Sequence, residues 1–119
     1  MTGTGREPSL FERIAAREIP AQIVAETDRV IAFHDIAPKA PVHVVVTPKQ
    51  GDYRDVVELA AGDPALLAEL VAVSRGIADE LADGDFRLVF NTGSGAGQTV
   101  FHVHAHVLAG GLEEGSLAG

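Results

Sequence analysis

Three of the five histidines in this 119-residue chain stand at alternate positions near its end: His102, His104 and His106, in the run Gln98-Thr99-Val100-Phe101-His102-Val103-His104-Ala105-His106-Val107-Leu108. The intervening residues are apolar or small, and the run is rich in β-branched and aromatic types, which reads as a β-strand. Side chains alternate across a strand. The three imidazoles are therefore expected on one face, with Phe101, Val103, Ala105 and Val107 on the other. Three chemistries suit such a row. One is metal binding, because histidine is a common ligand. However, Cβ atoms two residues apart on a strand are roughly 6.5–7 Å apart, so three in a row meet one ion awkwardly, and no cysteine is available. The second is attack on phosphorus by a neutral imidazole while a neighbour serves the leaving group or a phosphoryl oxygen. The third is anion binding without turnover.

A fourth histidine falls on another β-type run, Val42-His43-Val44-Val45-Val46-Thr47, closed by Pro48. His43 shares a face with Val45 and Thr47, and a lone strand histidine is commonly structural. The cluster further along the chain argues instead for a shared site. The preceding loop, Phe33-His34-Asp35-Ile36-Ala37-Pro38-Lys39-Ala40-Pro41, has its shape set by Pro38 and Pro41. An aspartate there is usually a turn former, but Asp35 could also accept hydrogen bonds from a ribose diol. Asn91-Thr92-Gly93-Ser94-Gly95-Ala96-Gly97-Gln98-Thr99 leads into the histidine row. Its glycines suit either a plain connection or a cradle of backbone N–H groups for an anion.

The remaining chain supplies supports. Ser9 with Glu12 forms a capping-box pattern, and a short helix is expected over about 10–16. Gln22–Glu26 and Arg29–His34 read as a hairpin about Thr27-Asp28. A short helical turn fits Tyr53–Leu59. Asp63 and Pro64 open a helix over about 64–82, striped by Leu66, Leu67, Leu70, Val73, Ile77 and Leu81 and stopped by Gly84. Phe86–Phe90 reads as a strand.

Length and 46% hydrophobic content fit one domain, over residues 1–119. The two ends, about 1–8 and 110–119, are glycine-rich and expected to be loosely held. The net charge of −8 argues against general affinity for nucleic acid. No membrane-length apolar run or signal-peptide pattern is present, so no membrane partner and a cytoplasmic location are expected. Without cysteine there are no disulfides.

His102-Val103-His104-Ala105-His106-Val107-Leu108 resembles the motif of the histidine triad superfamily of nucleotide hydrolases and transferases. Arg17-Glu18-Ile19-Pro20-Ala21, Phe33 through His43, and Gly97-Gln98-Thr99-Val100 resemble its Hint branch, the histidine triad nucleotide-binding proteins. The resemblance implies an α+β fold: a five-stranded antiparallel sheet with one long and one short helix, extended across a homodimer. It implies hydrolysis of purine nucleoside phosphoramidates, or of acyl-adenylates, to the nucleoside monophosphate (AMP or GMP) through a nucleotidyl-histidine, with no cofactor and no metal. His104 would be the nucleophile, oriented by the backbone carbonyl of His102. His106 would contact the phosphate oxygens and the leaving atom, and the side chain of His102 would form a relay with His43. Asp35 would bind the ribose. Phe11, Ile19, Phe33, His34 and Ile36 would line the base pocket, with Asn91, Gly97, Gln98 and Thr99 on the phosphate side. Two departures stand out: Thr99 where relatives commonly carry Ser, and a tail, Gly110 to Gly119, without the aromatic and proline residues that reach the partner's site. Alternatives are a dinucleoside polyphosphate hydrolase of the related Fhit branch, and a nucleotide-binding protein with incidental hydrolysis.

Overall fold

The computed structural model describes residues 7–114. Most of the two ends expected to be loose, 1–6 and 115–119, lies outside the described residues. The elements run α1 (Leu10–Ala15), β1 (Ile23–Glu26), β2 (Val30–His34), β3 (Val42–Pro48), α2 (Val56–Gly62), α3 (Pro64–Leu81), β4 (Arg87–Val89), a short 3₁₀ turn (Ser94–Ala96) and β5 (Ala105–Ala109). The strands form one antiparallel sheet in the order β1-β2-β3-β5-β4.

Local chemistry sets these boundaries. Ser9 and Glu12 form the reciprocal capping box that opens α1. Asp63 accepts from Leu66 N at the start of α3, and Pro64 occupies the first turn, where its missing N–H costs nothing. The helix ends where Gly84, at φ +89°, turns its N–H back to the Ala78 carbonyl; that left-handed conformation is one glycine adopts without strain. Leu66, Leu70 and Ile77 of α3 and Leu59 of α2 then cover one sheet face, made of Val30, Ala32, Val44, Val46, Ala105 and Val107. The opposite face carries His43, Val45 and Thr47 of β3 beside His106 and Leu108 of β5, through the pairs His43–Leu108 and Val45–His106. Phe11 and Ile14 of α1 pack there with Phe33 and Val45. One face is thus the core, and the other builds a cleft.

Three expectations need correction. The tract near Tyr53–Leu59 is a true second short helix, shifted to Val56–Gly62 and capped by Asp55 on Glu58 N, so the described residues form three α-helices. The last-but-one strand is shorter than Phe86–Phe90. The imidazole row does not lie on one strand, because β5 begins at Ala105 and only His106 belongs to the ladder. Past the Val46–Ala105 pair, β3 runs into Pro48, which has no N–H to give a neighbour. The Val103 N–H instead donates to the Tyr53 carbonyl at 2.9 Å. The Thr47 hydroxyl donates to the Val103 carbonyl at 2.8 Å. These bonds hold residues 102–104 extended in place of a ladder.

Candidate active site

The proline-bounded loop between β2 and β3 is folded onto His43. Asp35 N donates to the His43 carbonyl (3.0 Å), Ala37 N donates to Asp35 Oδ1 (2.8 Å), and Lys39 N donates to His43 Nδ1 (3.0 Å). The last bond decides a tautomer. A ring nitrogen that accepts from a backbone N–H carries no proton, so in neutral His43 the proton sits on Nε2. That nitrogen lies 2.9 Å from His106 Nδ1 and 3.4 Å from Asp35 Oδ2. His106 Nδ1 therefore accepts, and the His106 proton sits on Nε2.

The other two imidazoles are fixed by carbonyls. His104 Nδ1 lies 2.8 Å from the His102 carbonyl. A carbonyl only accepts, so Nδ1 bears the proton and Nε2 keeps its lone pair. His102 Nε2 donates to the Pro48 carbonyl at 2.7 Å, and its Nδ1 is 2.5 Å from Ser9 Oγ. His102 is fully buried and both its nitrogens are engaged. The expected relay between His102 and His43 is absent. His43 pairs with His106, its neighbour across β3 and β5, while His102 turns towards α1 and the end of β3. Phe11 sets its ring edge-on to both His104 (4.7 Å between centroids) and His102 (5.5 Å).

Burial pushes His43, His104 and His106 below the usual imidazole range. For His43, Asp35 opposes the shift and Lys39 adds to it. For His104, the His102 carbonyl and Asp35 oppose it. His106 is lowered to about 4, by desolvation first and then by its neighbours His104 and His43. All three are neutral at pH 7. The outcome is polarity: a basic His104 Nε2 beside an N–H on His106 Nε2, with ring centroids 5.2 Å apart.

These groups open into a cleft of about 600 Å³, lined also by Phe11, Asp35, Lys39, Val45, Asn91, Gly97, Thr99 and Val100. A larger groove of about 840 Å³ between the end of α3, β4 and residues 108–114 contains no histidine, so the chemistry belongs to the smaller cleft. Of the residues singled out from sequence, His43, His104, His106, Asp35, Phe11, Asn91, Gly97 and Thr99 line the cleft. Phe33 and Ile19 stand behind it, packed with Phe11. His34 is exposed, Ile36 is 99% exposed, and neither lines the cleft. Gln98 is turned inward: its side-chain oxygen accepts from Gly93 N (2.8 Å), and its amide donates to the carbonyls of Arg54 (2.7 Å) and Val100 (3.0 Å). It shapes the glycine-rich loop from within. Sequence reasoning missed Lys39, whose position between two prolines was the available clue. It also missed Val45, Val89 and Val100 as cleft walls, for which apolar character alone gave no signal.

Asp35, His43 and His106 offer ligand atoms that all lie within 4.8 Å of one another. The donor set does not suit a resident cation as arranged. To free a lone pair on His43 Nε2, its proton would have to move to Nδ1, against the Lys39 N–H.

The HIT domain family matches residues 16–111. The chain belongs to the HIT family. It is 46% identical to an uncharacterized HIT-like protein of Synechocystis sp., over 87% of this chain and 91% of that one. Its fold matches a HIT family hydrolase from Clostridium thermocellum with a TM-score of 0.82 and 40% identity, covering 88% of this chain and 92% of the other. It also matches a hypothetical histidine triad nucleotide-binding protein from Sulfolobus tokodaii strain7, with a TM-score of 0.70 and 34% identity, over 82% of this chain and 66% of that one. In HIT terms the five-stranded antiparallel sheet is the fold expected, and His102-x-His104-x-His106 is the family's motif.

Proposed function

We propose that this HIT protein hydrolyses the P–N bond of purine nucleoside phosphoramidates, and acyl-adenylates by the same route, releasing the nucleoside monophosphate. The observation that carries this reading is the opposed polarity of two adjacent imidazoles: a lone pair on His104 Nε2 and an N–H on His106 Nε2. His104 Nε2 attacks phosphorus as the P–N bond breaks; the departing nitrogen takes up a proton from solvent and leaves as the amine, and a nucleotidyl-histidine remains. Water then attacks the same phosphorus, the bond to His104 Nε2 breaks, and the proton that water sheds returns to solvent. The His106 N–H holds a phosphoryl oxygen or the leaving atom through this sequence, and the Gly97 to Thr99 segment supplies further donors. Asp35 keeps Oδ2 for the ribose hydroxyls while Oδ1 holds Ala37 N. Phe11 and the apolar residues beside it take the base. The hydrolase name of the C. thermocellum neighbour and the nucleotide-binding name of the S. tokodaii one support the class.

The reading includes a homodimer that extends the sheet, supported by the open β4 edge and the groove beside it, whose lining includes Leu81, Phe86, Leu108 and Leu112. A monomer in analytical ultracentrifugation would remove that part.

The test is mass spectrometry of the intact protein, quenched during turnover of an adenosine phosphoramidate. The expected result is a transient adenylyl adduct on the wild type and none on His104→Ala. Adduct-free wild-type protein that binds AMP would instead make the cleft a nucleotide-binding site. Faster turnover of a dinucleoside polyphosphate than of the phosphoramidate would move the assignment to that substrate class.

A further inference from the structure

The His102–Val103 peptide holds the candidate nucleophile, because its carbonyl accepts the His104 Nδ1 proton at 2.8 Å. That peptide precedes β5 and has no ladder of its own. It is pinned on one side by the Val103 N–H to the Tyr53 carbonyl, 2.9 Å. On the other side it is pinned through the buried His102 ring, which is held at both nitrogens by groups distant in sequence: the Pro48 carbonyl on Nε2 and the Ser9 hydroxyl on Nδ1. Because the Pro48 carbonyl takes the proton of Nε2, Nδ1 is an acceptor and Ser9 must donate to it. The Ser9 oxygen at the same time accepts from Glu12 N, 3.1 Å, as the cap of α1. One hydroxyl therefore donates towards the site and accepts from the helix that carries Phe11 against the His104 ring.

We infer that Ser9 is a positioning residue for the HIT reaction: its hydroxyl proton locks the His102 ring, and through the His102 carbonyl it fixes the tautomer and aim of His104. The inference rests on the reading of His104 as nucleophile. It assigns to the start of α1 a role in the chemistry besides capping.

Three substitutions separate the two roles. Ser9→Thr keeps donor and cap. Ser9→Gly keeps most of the N-cap preference but has no hydroxyl to give His102 Nδ1. Ser9→Ala loses both. The measurements are single-turnover formation of the adenylyl adduct, KM, and the imidazole ¹⁵N shifts of His102 and His104 in the full chain. Ser9→Thr should rescue adduct formation to within about threefold of wild type, while Ser9→Gly and Ser9→Ala should slow it at least about tenfold with KM changed less than about threefold. In Ser9→Gly, the His102 Nδ1 signal should lose the shift of a nitrogen accepting a hydroxyl proton, and the His104 Nδ1 signal should lose its wild-type N–H shift. If Ser9→Gly forms adduct at the wild-type rate with an unchanged His104 spectrum, Ser9 is a cap only and the inference is overturned. If the wild type forms no adduct, the proposed reaction fails on its own account. The His104 spectrum of Ser9→Gly against wild type then still decides whether Ser9 sets that imidazole.

Discussion

Truncating Gln98 tests whether it is a buried staple or a group that touches nucleotide. Its side chain is 3% exposed and makes three hydrogen bonds, all to backbone: from Gly93 N and to the carbonyls of Arg54 and Val100. At about 0.5–1.5 kcal/mol net for each bond, Gln98→Ala should cost about 2–4 kcal/mol. Stability of about 5–15 kcal/mol is usual for a domain, so the variant should still fold. Gln98→Glu sharpens the test. A carboxylate can still accept from Gly93 N, but it would face two carbonyl oxygens without a proton to offer. Near pH 7 it should be at least as damaging as alanine, with the deficit shrinking in acid as the carboxyl protonates. Urea unfolding with an unchanged m-value measures the loss, and turnover measures the loosening of residues 93–99 that wall the cleft. Gln98→Ala within about 0.5 kcal/mol of wild type, combined with a large rise in KM, would refute the staple argument and make Gln98 a ligand-binding group.

Other outcomes follow from the same geometry. His43→Leu leaves Lys39 N and His106 Nδ1 unpartnered and should lower kcat about ten- to a hundredfold; His43→Gln, which retains a donor, should recover part of that, and equal losses would contradict the tautomer chain. Stability should be full above about pH 6.5 and decline as pH falls towards 4, because His106 protonates at about 4 when folded but near 6.5 when unfolded. The unfolded state binds more protons across that window, at a cost of about 2–3 kcal/mol from His106 after allowance for its partial exposure, and His43 and His104 act in the same direction. Urea midpoints at pH 7.5 and 4.5 check this, and an unchanged midpoint would count against it. Thr47→Val, which removes the buried donor to the Val103 carbonyl, should cost about 1–2 kcal/mol and slow adduct formation, while Thr47→Ser should not. Turnover should survive chelation in full; loss restored by Zn²⁺ would overturn the metal-free assignment.

Much of this molecule was legible in the chain because the relevant signals are local. The leucine stripe of α3, its Asp63-Pro64 opening and the Gly84 stop depend on residues within one or two turns. The alternation of His43, Val45 and Thr47 against Val44 and Val46 is the pleat of β3 read directly. The resemblance carried by the histidine motif pointed to His104, and in the structure the His102 carbonyl takes the proton of that ring's Nδ1, so that its lone pair lies on Nε2. Reading the three histidines as one strand failed where local pattern ceased to govern. Extended backbone and β-type residues continue through 102–104, but the ladder stops at Ala105 because of the proline on the facing strand and the competing Tyr53 and Thr47 partners.

By itself, the sequence determined which side chains could do chemistry, the alternation that sends His106 to the cleft and Val107 to the core, and the elements that carry them. The tertiary structure alone decided what each imidazole is. His102 meets Ser9 across 93 positions of chain and Pro48 across 54, and His43 meets His106 across 63. A ring nitrogen holds a lone pair or a proton according to whether a carbonyl or an N–H faces it. That partner is delivered by packing, which no spacing along the chain encodes.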